Sequence, residues 1–265
     1  MDVFSRYIHT NSVVFKHAKG MRDIIGLEFH TYHEIFVLKG GNAEFISDSF
    51  RSVLKKDSLV VIPKECFHTF LLNDKEENYH RYVLNFNDVP HLSRLISEKM
   101  TEPAILPLSK DILARFEALE TYQNEPEYQQ ELRILALLTD VLLEIKPSEL
   151  QVGEVKTIHP IVNEAIRYIQ TNISSISSVL DIANAVNISV SHLHHLFSSE
   201  LRTSPHRYLL HQRLMLAHRK MLKGKDATVS ALECGFANYS NFYKMYKQMF
   251  GGCPSAVSKR KKGCN

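Results

Sequence analysis

The chain has 265 residues, 44% of them hydrophobic and 23% charged, which supplies enough apolar material for two cores of ordinary size and excludes a disordered chain. The longest strictly apolar stretches, such as Leu59 to Ile62, fall far short of the roughly 18 residues a membrane helix needs. Charges within Met1 to Thr10 argue against a secretory leader, so a cytoplasmic protein with no membrane partner is expected.

From Ile24 to Phe86 the pattern is one of short apolar runs rich in Val, Ile, Phe and Tyr, at Ile35 to Leu38, Glu44 to Ile46, Leu59 to Ile62 and Tyr82 to Phe86. Such runs predict antiparallel strands in a barrel or sandwich. Gly40-Gly41-Asn42 supplies a hairpin turn, and Lys55-Lys56-Asp57 and Pro63-Lys64-Glu65 bracket the run at Leu59. After Pro107 the period becomes helical. Ile112, Leu113, Phe116, Leu119 and Tyr122 recur on one helix, and Leu132, Leu135, Leu138, Leu142 and Ile145 on a second, with Pro126 between them. The second helix also carries Ile134, Leu137 and Val141. That second apolar face suits either a buried core helix or one that also touches another subunit; on the latter reading Leu132, Leu135, Leu138, Leu142 and Ile145 form a homodimer contact. Lys146 to Glu154 (KPSELQVGE) is linker-like, dividing the chain into domains at 1–150 and 156–262.

The overall charge of +3 hides an asymmetry between these parts. Up to Leu150 there are 17 Lys+Arg against 23 Asp+Glu, a net of −6; beyond it the numbers are 15 and 6, a net of +9. A basic segment joined to an acidic one suits a polyanion-binding module, although a solvated surface gives the same balance. The four cysteines form no CxxC pair and no even ladder of spacings, so neither a disulfide framework nor a zinc knuckle is encoded.

From Ile158 onward the chain is helical and repeats itself at an offset of 49 residues, aligning Leu193 to Pro205 with Phe242 to Pro254. Each repeat has helix-turn-helix spacing. In the first, Val179, Ile182, Ala183 and Val186 face inward, Ser189 caps the next helix, and that helix runs from Val190 to Leu201. In the second, a helix ends at Cys234, Gly235 permits a left-handed turn, Phe236 plugs the core, and Tyr239 to Phe250 forms the following helix. The residues that such second helices offer to a major groove are Ser191, His192, His195 and Ser198 in the first repeat and Tyr239, Asn241, Lys244 and Lys247 in the second.

The segments ALECGFANYSNFYKMYKQMFGGCP (Ala231 to Pro254) and SHLHHLFSSELRTSPHRYLLHQRLMLAHRKML (Ser191 to Leu222) closely resemble the DNA-binding domain of AraC/XylS-family transcription regulators, over roughly Ile158 to Ser258. The resemblance implies two helix-turn-helix units joined by a long helix, Pro205 to Lys223, that sets two recognition helices into successive major grooves. It departs from the family pattern in three places. His195 stands where an arginine is usual, which makes first-unit readout weaker or pH-sensitive. Arg202 replaces a turn glycine, and the shortened ATVSALECGF puts Ser230 where a large apolar residue belongs, so that either Val229 slips inward or the second unit packs poorly.

FHTYHEIFVLKGG (Phe29 to Gly41), KKDSLVVIPKECFHTF (Lys55 to Phe70) and YHRYVLNF (Tyr79 to Phe86) resemble the cupin-like effector domain of many such regulators, with Lys56 in place of a glycine. The implied fold is α+β in two domains: an N-terminal cupin-like β-barrel with two following helices, and a C-terminal all-α double helix-turn-helix domain. The implied partners are double-stranded DNA, a small-molecule effector such as a sugar, a second copy of the chain, and RNA polymerase. The effector pocket expected from the strand pattern is lined by Phe29, His30, Ile35, Val37, Val61, His68 and Phe70, while a filled barrel explains the same residues. His30, His33, Glu34 and His68 lie where metal-binding cupins hold their ion. His33 and Glu34 are adjacent on one strand and point to opposite faces, so no metal and no other cofactor is expected. No catalytic constellation stands out, and the chain is not expected to be an enzyme. Two other readings remain: a metal-dependent cupin enzyme with a DNA-binding appendage, and an interaction protein whose degenerate DNA domain no longer binds operators.

Overall fold

The computed structural model describes residues 4–10, 12–20, 28–72, 79–87, 89–145 and 155–259. The expected linker at 146–154 lies outside them. The chain divides into two compact units, Met1–Thr157 and Ile158–Asn265.

The first unit contains β1 (Phe4–His9), β2 (Val13–Lys19), β3 (His33–Gly40), β4 (Ala43–Ser47), β5 (Phe50–Leu54), β6 (Ser58–Ile62), β7 (His68–Leu72) and β8 (His80–Phe86). It continues with α1 (Pro90–Lys99), β9 (Ala104–Pro107), α2 (Lys110–Leu119), α3 (Glu127–Glu144) and β10 (Val155–Thr157). All strand pairs are antiparallel. They make a six-stranded sheet, β1-β2-β8-β3-β6-β9, and a four-stranded sheet, β10-β5-β4-β7. The expected closed barrel is therefore not formed among the described residues: the two ladders remain separate sheets. Three helices, not two, follow β8, because the segment after Asn87 supplies a proline at N1 and buries Leu92 and Ile96.

The six-stranded sheet is covered on both faces, which is why β3 is buried from His33 to Leu38 without alternation. Phe36, Leu38, Val60 and Ile62 point toward Phe45, Leu54 and Phe70 of the other sheet. Ile35, Val37, Leu59 and Val61 point the other way and pack with Leu92, Phe116, Leu138 and Leu142 of the helices. Gly41, at φ 80°, turns β3 into β4 as its sequence suggested, and Asp57, at φ 64°, takes the left-handed place in the turn before β6.

Helix α3 divides the residues expected at the dimer face: Leu132 stays exposed and the others turn inward. Leu138, Leu142 and Ile145 are buried within their own unit, and Leu135 is partly buried against the same core. The large apolar side chains that α3 leaves exposed are Tyr128, Leu132 and Leu143. The helix has apolar residues on two faces, and α1 and α2 cover the one that includes Leu138.

The second unit contains α4 (Pro160–Thr171), α5 (Val179–Ala185), α6 (Val190–Leu201), α7 (Pro205–Leu222), α8 (Ala227–Glu233), α9 (Tyr239–Phe250) and α10 (Pro254–Lys259). Its boundaries follow from local chemistry. Ser189, Ser204, Asp226 and Asn238 each accept a backbone N–H at the start of α6, α7, α8 and α9. Asp181 accepts the Ser177 and Ser178 N–H groups ahead of α5. Arg202, in the place of the missing glycine, adopts φ 54° and ends α6 in a left-handed turn all the same.

Candidate nucleic-acid interface

Residue burial separates the recognition helices into an inner and an outer face. On α6, Leu193, Leu196, Phe197 and Leu201 are buried, and Ser191, His192, His195 and Ser198 are exposed with His194 beside them. On α9, Phe242 and Tyr246 are buried, and Asn241, Lys244 and Lys247 are exposed with Ser240, Tyr243 and Gln248. Tyr239 differs from the other expected contacts: it is only partly exposed, its ring lying 5.7 Å from that of Phe242. Capping Asn238 fixes the start of α9 by accepting the Asn241 N–H at 2.8 Å.

The second unit forms fully despite its shortened first helix. Val229 does not slip inward: it stays exposed, and Ser230 is completely buried. The helix α8 compensates with small residues, Ala227 and Ala231, which let it approach Leu214, Ala217 and Met221 of α7 and Phe242 and Tyr246 of α9. The Ser230 hydroxyl has no hydrogen-bond partner there.

Arg213 of α7 is a positioning residue that composition did not reveal. Its guanidinium is buried and donates to the carbonyls of Ile173, at 2.9 Å, and Ile176. It also lies against Gly235, in the turn between α8 and α9. One side chain thus joins the segment before α5 to the turn of the second helix-turn-helix. A single buried arginine in an otherwise basic helix carries no periodic signal.

In the first unit the residues expected to line one pocket fall on two faces. Ile35, Val37 and Val61 face the helices, whereas His30, His68 and Phe70 lie between the sheets and Phe29 packs on Phe67. Strand alternation places them so, and the expected single pocket does not assemble. A cavity of about 450 Å³ lies instead on the helix side of the large sheet, lined by Leu59, Leu106, Ile112, Val141, Leu143 and Ile145 among others.

His30, Glu34 and His68 do come together, all buried, with one ligand atom from each within 4.8 Å of the others. His33 is held apart from them: its Nδ1 accepts the Lys64 N–H at 3.2 Å and its ring stacks on Phe86. His33 and Glu34 face opposite sides of β3, as expected, which removes His33 alone and leaves a three-residue group. Burial holds both His30, at about 4, and His68, at about 3, below the ordinary imidazole range, and it raises Glu34 to about 8.

The architecture is that of a two-domain α+β protein with a strand-rich N-terminal unit and a C-terminal pair of helix-turn-helix motifs. A family model described as a helix-turn-helix domain matches residues 182–260. The raffinose operon transcriptional regulatory protein RafR of Pediococcus pentosaceus is 31% identical over 98 residues, 37% of this chain and 35% of that protein. The transcriptional activator RhaS of Escherichia fergusonii is 24% identical over 253 residues, 92% of this chain and 83% of its own. A solved probable AraC family transcriptional regulator from Rhodopseudomonas palustris is 28% identical, with a TM-score of 0.36, over 38% of this chain and 97% of its own. The match spans about a third of the length of RafR and of the regulator LumQ of Photobacterium leiognathi. A helix-turn-helix domain thus occupies most of the C-terminal unit, and the chain is similar to AraC-type transcription regulators. No helix among the described residues is long and apolar enough to cross a membrane.

Proposed function

We propose that this chain is a cytoplasmic, sequence-specific DNA-binding regulator that acts without catalysis and answers to a small molecule through its N-terminal unit. The observation that carries the reading is the pairing of α6 and α9. Both are capped twelve-residue helices with a polar outer face, in one unit, joined through the eighteen-residue α7. At about 1.5 Å per residue α7 measures about 27 Å, a span on the scale of the roughly 34 Å between successive major grooves on one DNA face. Asn241 and Lys244 are chemically suited to adenine and guanine, whereas α6 offers hydroxyls and imidazoles. Sequence reading is therefore assigned mainly to α9, and positioning to α6.

The N-terminal unit supports a cupin-like sandwich reading, with the 450 Å³ cavity beside α2 and α3 as the place for a small effector. The surface of α3 around Leu132 and Leu143 is the homodimer contact in this reading, and RNA polymerase is the further partner. The test is affinity for genomic fragments recovered by footprinting, over a salt series. A steep loss of affinity with salt and a preference for particular fragments support the reading. Affinity that is absent at low salt would instead make the chain an interaction protein with a degenerate DNA domain.

A further inference from the structure

Between the two sheets, in a core that is largely apolar, three polar side chains converge. His30 precedes β3 and Glu34 lies on it, in the six-stranded sheet, while His68 opens β7 of the four-stranded sheet. The His30 Nδ1 lies 2.7 Å from the Tyr32 carbonyl and the His68 Nδ1 lies 3.3 Å from the Cys66 carbonyl. A carbonyl only accepts, so each Nδ1 carries the proton and each Nε2 presents a lone pair. Both Nε2 atoms lie near Glu34: His30 Nε2 is 3.5 Å from Oε2, and His68 Nε2 is 3.8 Å from Oε1. Neither Nε2 has a hydrogen-bond partner, although both are fully buried.

Buried polar atoms without partners cost about 1–3 kcal/mol each, and here two of them face one carboxylate. Backbone carbonyls fixing the imidazole tautomers from behind, with the remaining nitrogens aimed at a common point, is the outer-shell arrangement of a metal ligand set. Ligands on one ion at about 2.0–2.2 Å stand roughly 3–3.5 Å apart, so the observed separations need only a modest closing of the side chains.

We propose that His30, Glu34 and His68 form a site for one divalent first-row transition ion, with two neutral imidazoles and one carboxylate as ligands, that fastens the two sheets to each other. Nitrogen and oxygen donors of this kind suit Zn²⁺, Fe²⁺, Co²⁺ or Mn²⁺ over Ca²⁺ or Mg²⁺. The inference is independent of DNA binding, since all three ligands belong to the N-terminal unit. Because the ion would bridge β3 and β7, its binding stabilises the folded unit by linkage.

The experiment loads the full-length chain with Zn²⁺ or Co²⁺, passes it through a desalting column and measures metal per chain, the visible d–d spectrum of the cobalt form, and the thermal midpoint with and without chelator. The expected result is about one ion per chain, a cobalt spectrum with nitrogen ligation, and a midpoint several degrees higher with metal. His30→Gln and His68→Gln should each lower the affinity at least tenfold, with far-ultraviolet circular dichroism unchanged. His33→Gln, and the triple change of His192, His194 and His195 to Gln, should leave it intact. Failure of the folded wild type to retain an ion overturns the proposal, as does retention that survives in His30→Gln/His68→Gln or that disappears in the α6 triple variant. If the His variants do not fold, Glu34→Gln decides by the same metal count.

Discussion

The guanidinium of Arg213 occupies the space that a side chain at position 235 would need: a Cβ built on Gly235 meets Nη2 at 2.7 Å and Cζ at 2.8 Å. Gly235 also has φ +85°, so two independent constraints disfavour any other residue in the turn between α8 and α9. Gly235→Ala should cost about 1–2 kcal/mol for the left-handed backbone alone, and more because Arg213 must leave its carbonyl partners. Chemical denaturation of the full chain measures this. A loss below about 0.5 kcal/mol would show that Arg213 moves aside without penalty.

Ser230 points the opposite way energetically. Its buried hydroxyl lacks a partner in the contact between α8 and α7, and a buried unpaired hydroxyl costs about 1–3 kcal/mol. Ser230→Ala should therefore be neutral or raise stability by up to about 1 kcal/mol. A clear destabilisation in the same denaturation assay would reveal a hydrogen bond to the hydroxyl, direct or through water.

The α3 face at Leu132 and Leu143, respectively 62% and 60% exposed, is expected to hold two copies together. Leu132→Glu with Leu143→Glu should give folded monomers by sedimentation at micromolar concentration, with the wild type dimeric. Leu138→Glu, which puts a charge into the core, should instead unfold the N-terminal unit. A monomeric wild type contradicts the assignment.

Sequence preference should reside in α9. Asn241→Ala is expected to cost about 1–3 kcal/mol on the preferred site and to relax selection at one or two base pairs. Binding measured on a library of variant sites tests this. Equal weakening on every sequence would reassign Asn241 to a phosphate contact.

His80 gives the N-terminal unit an acid limit. It stacks on His17 across β2 and β8. Burial, and then the nearby charges of His17, Lys39 and Lys19, hold it down to about 4, against a smaller upward pull from Glu120. The unfolded chain takes up the proton near 6.5 and the folded one near 4, so the unfolded state binds more protons between those values. Stability is complete above pH 6.5 and falls as pH drops toward 4. His80→Gln should flatten part of that fall in thermal midpoints taken between pH 7 and pH 4; an unchanged slope would assign the acid limit to other buried histidines.

Helices α6, α7 and α9 were legible in the sequence nearly to the residue, because what starts and stops a helix is local, whereas α4 and α10 were not delimited. Ser189, Ser204 and Asn238 cap their own next turn, Pro205 sits where a missing N–H costs nothing, and Gly235 takes a turn of its own. Strands β3, β4, β6 and β8 were legible from apolar runs for the same reason. Strand β2 carries an alternation at Val13, Phe15 and His17 but lies before the run of strands expected from Ile24, β5 is a five-residue hairpin partner of β4, and β7 and β9 are short segments whose partners lie far along the chain.

Only the tertiary structure decided which face of each element is covered, and by what. Period-two alternation separates Ile35 from Phe36, but it does not say that helices cover one side and the second sheet the other. Both sides of β3 are therefore apolar, and the expected pocket mixed residues from the two. In α3 the two apolar faces look alike in sequence, and packing against α1 and α2 buried Leu138 while leaving Leu132 in solvent. His30 and His68 stand 38 positions apart in sequence, and only the packing of two separate sheets brings both to Glu34. Capping and backbone hydrogen bonding act over a few residues, whereas burial depends on the whole chain having chosen its neighbours.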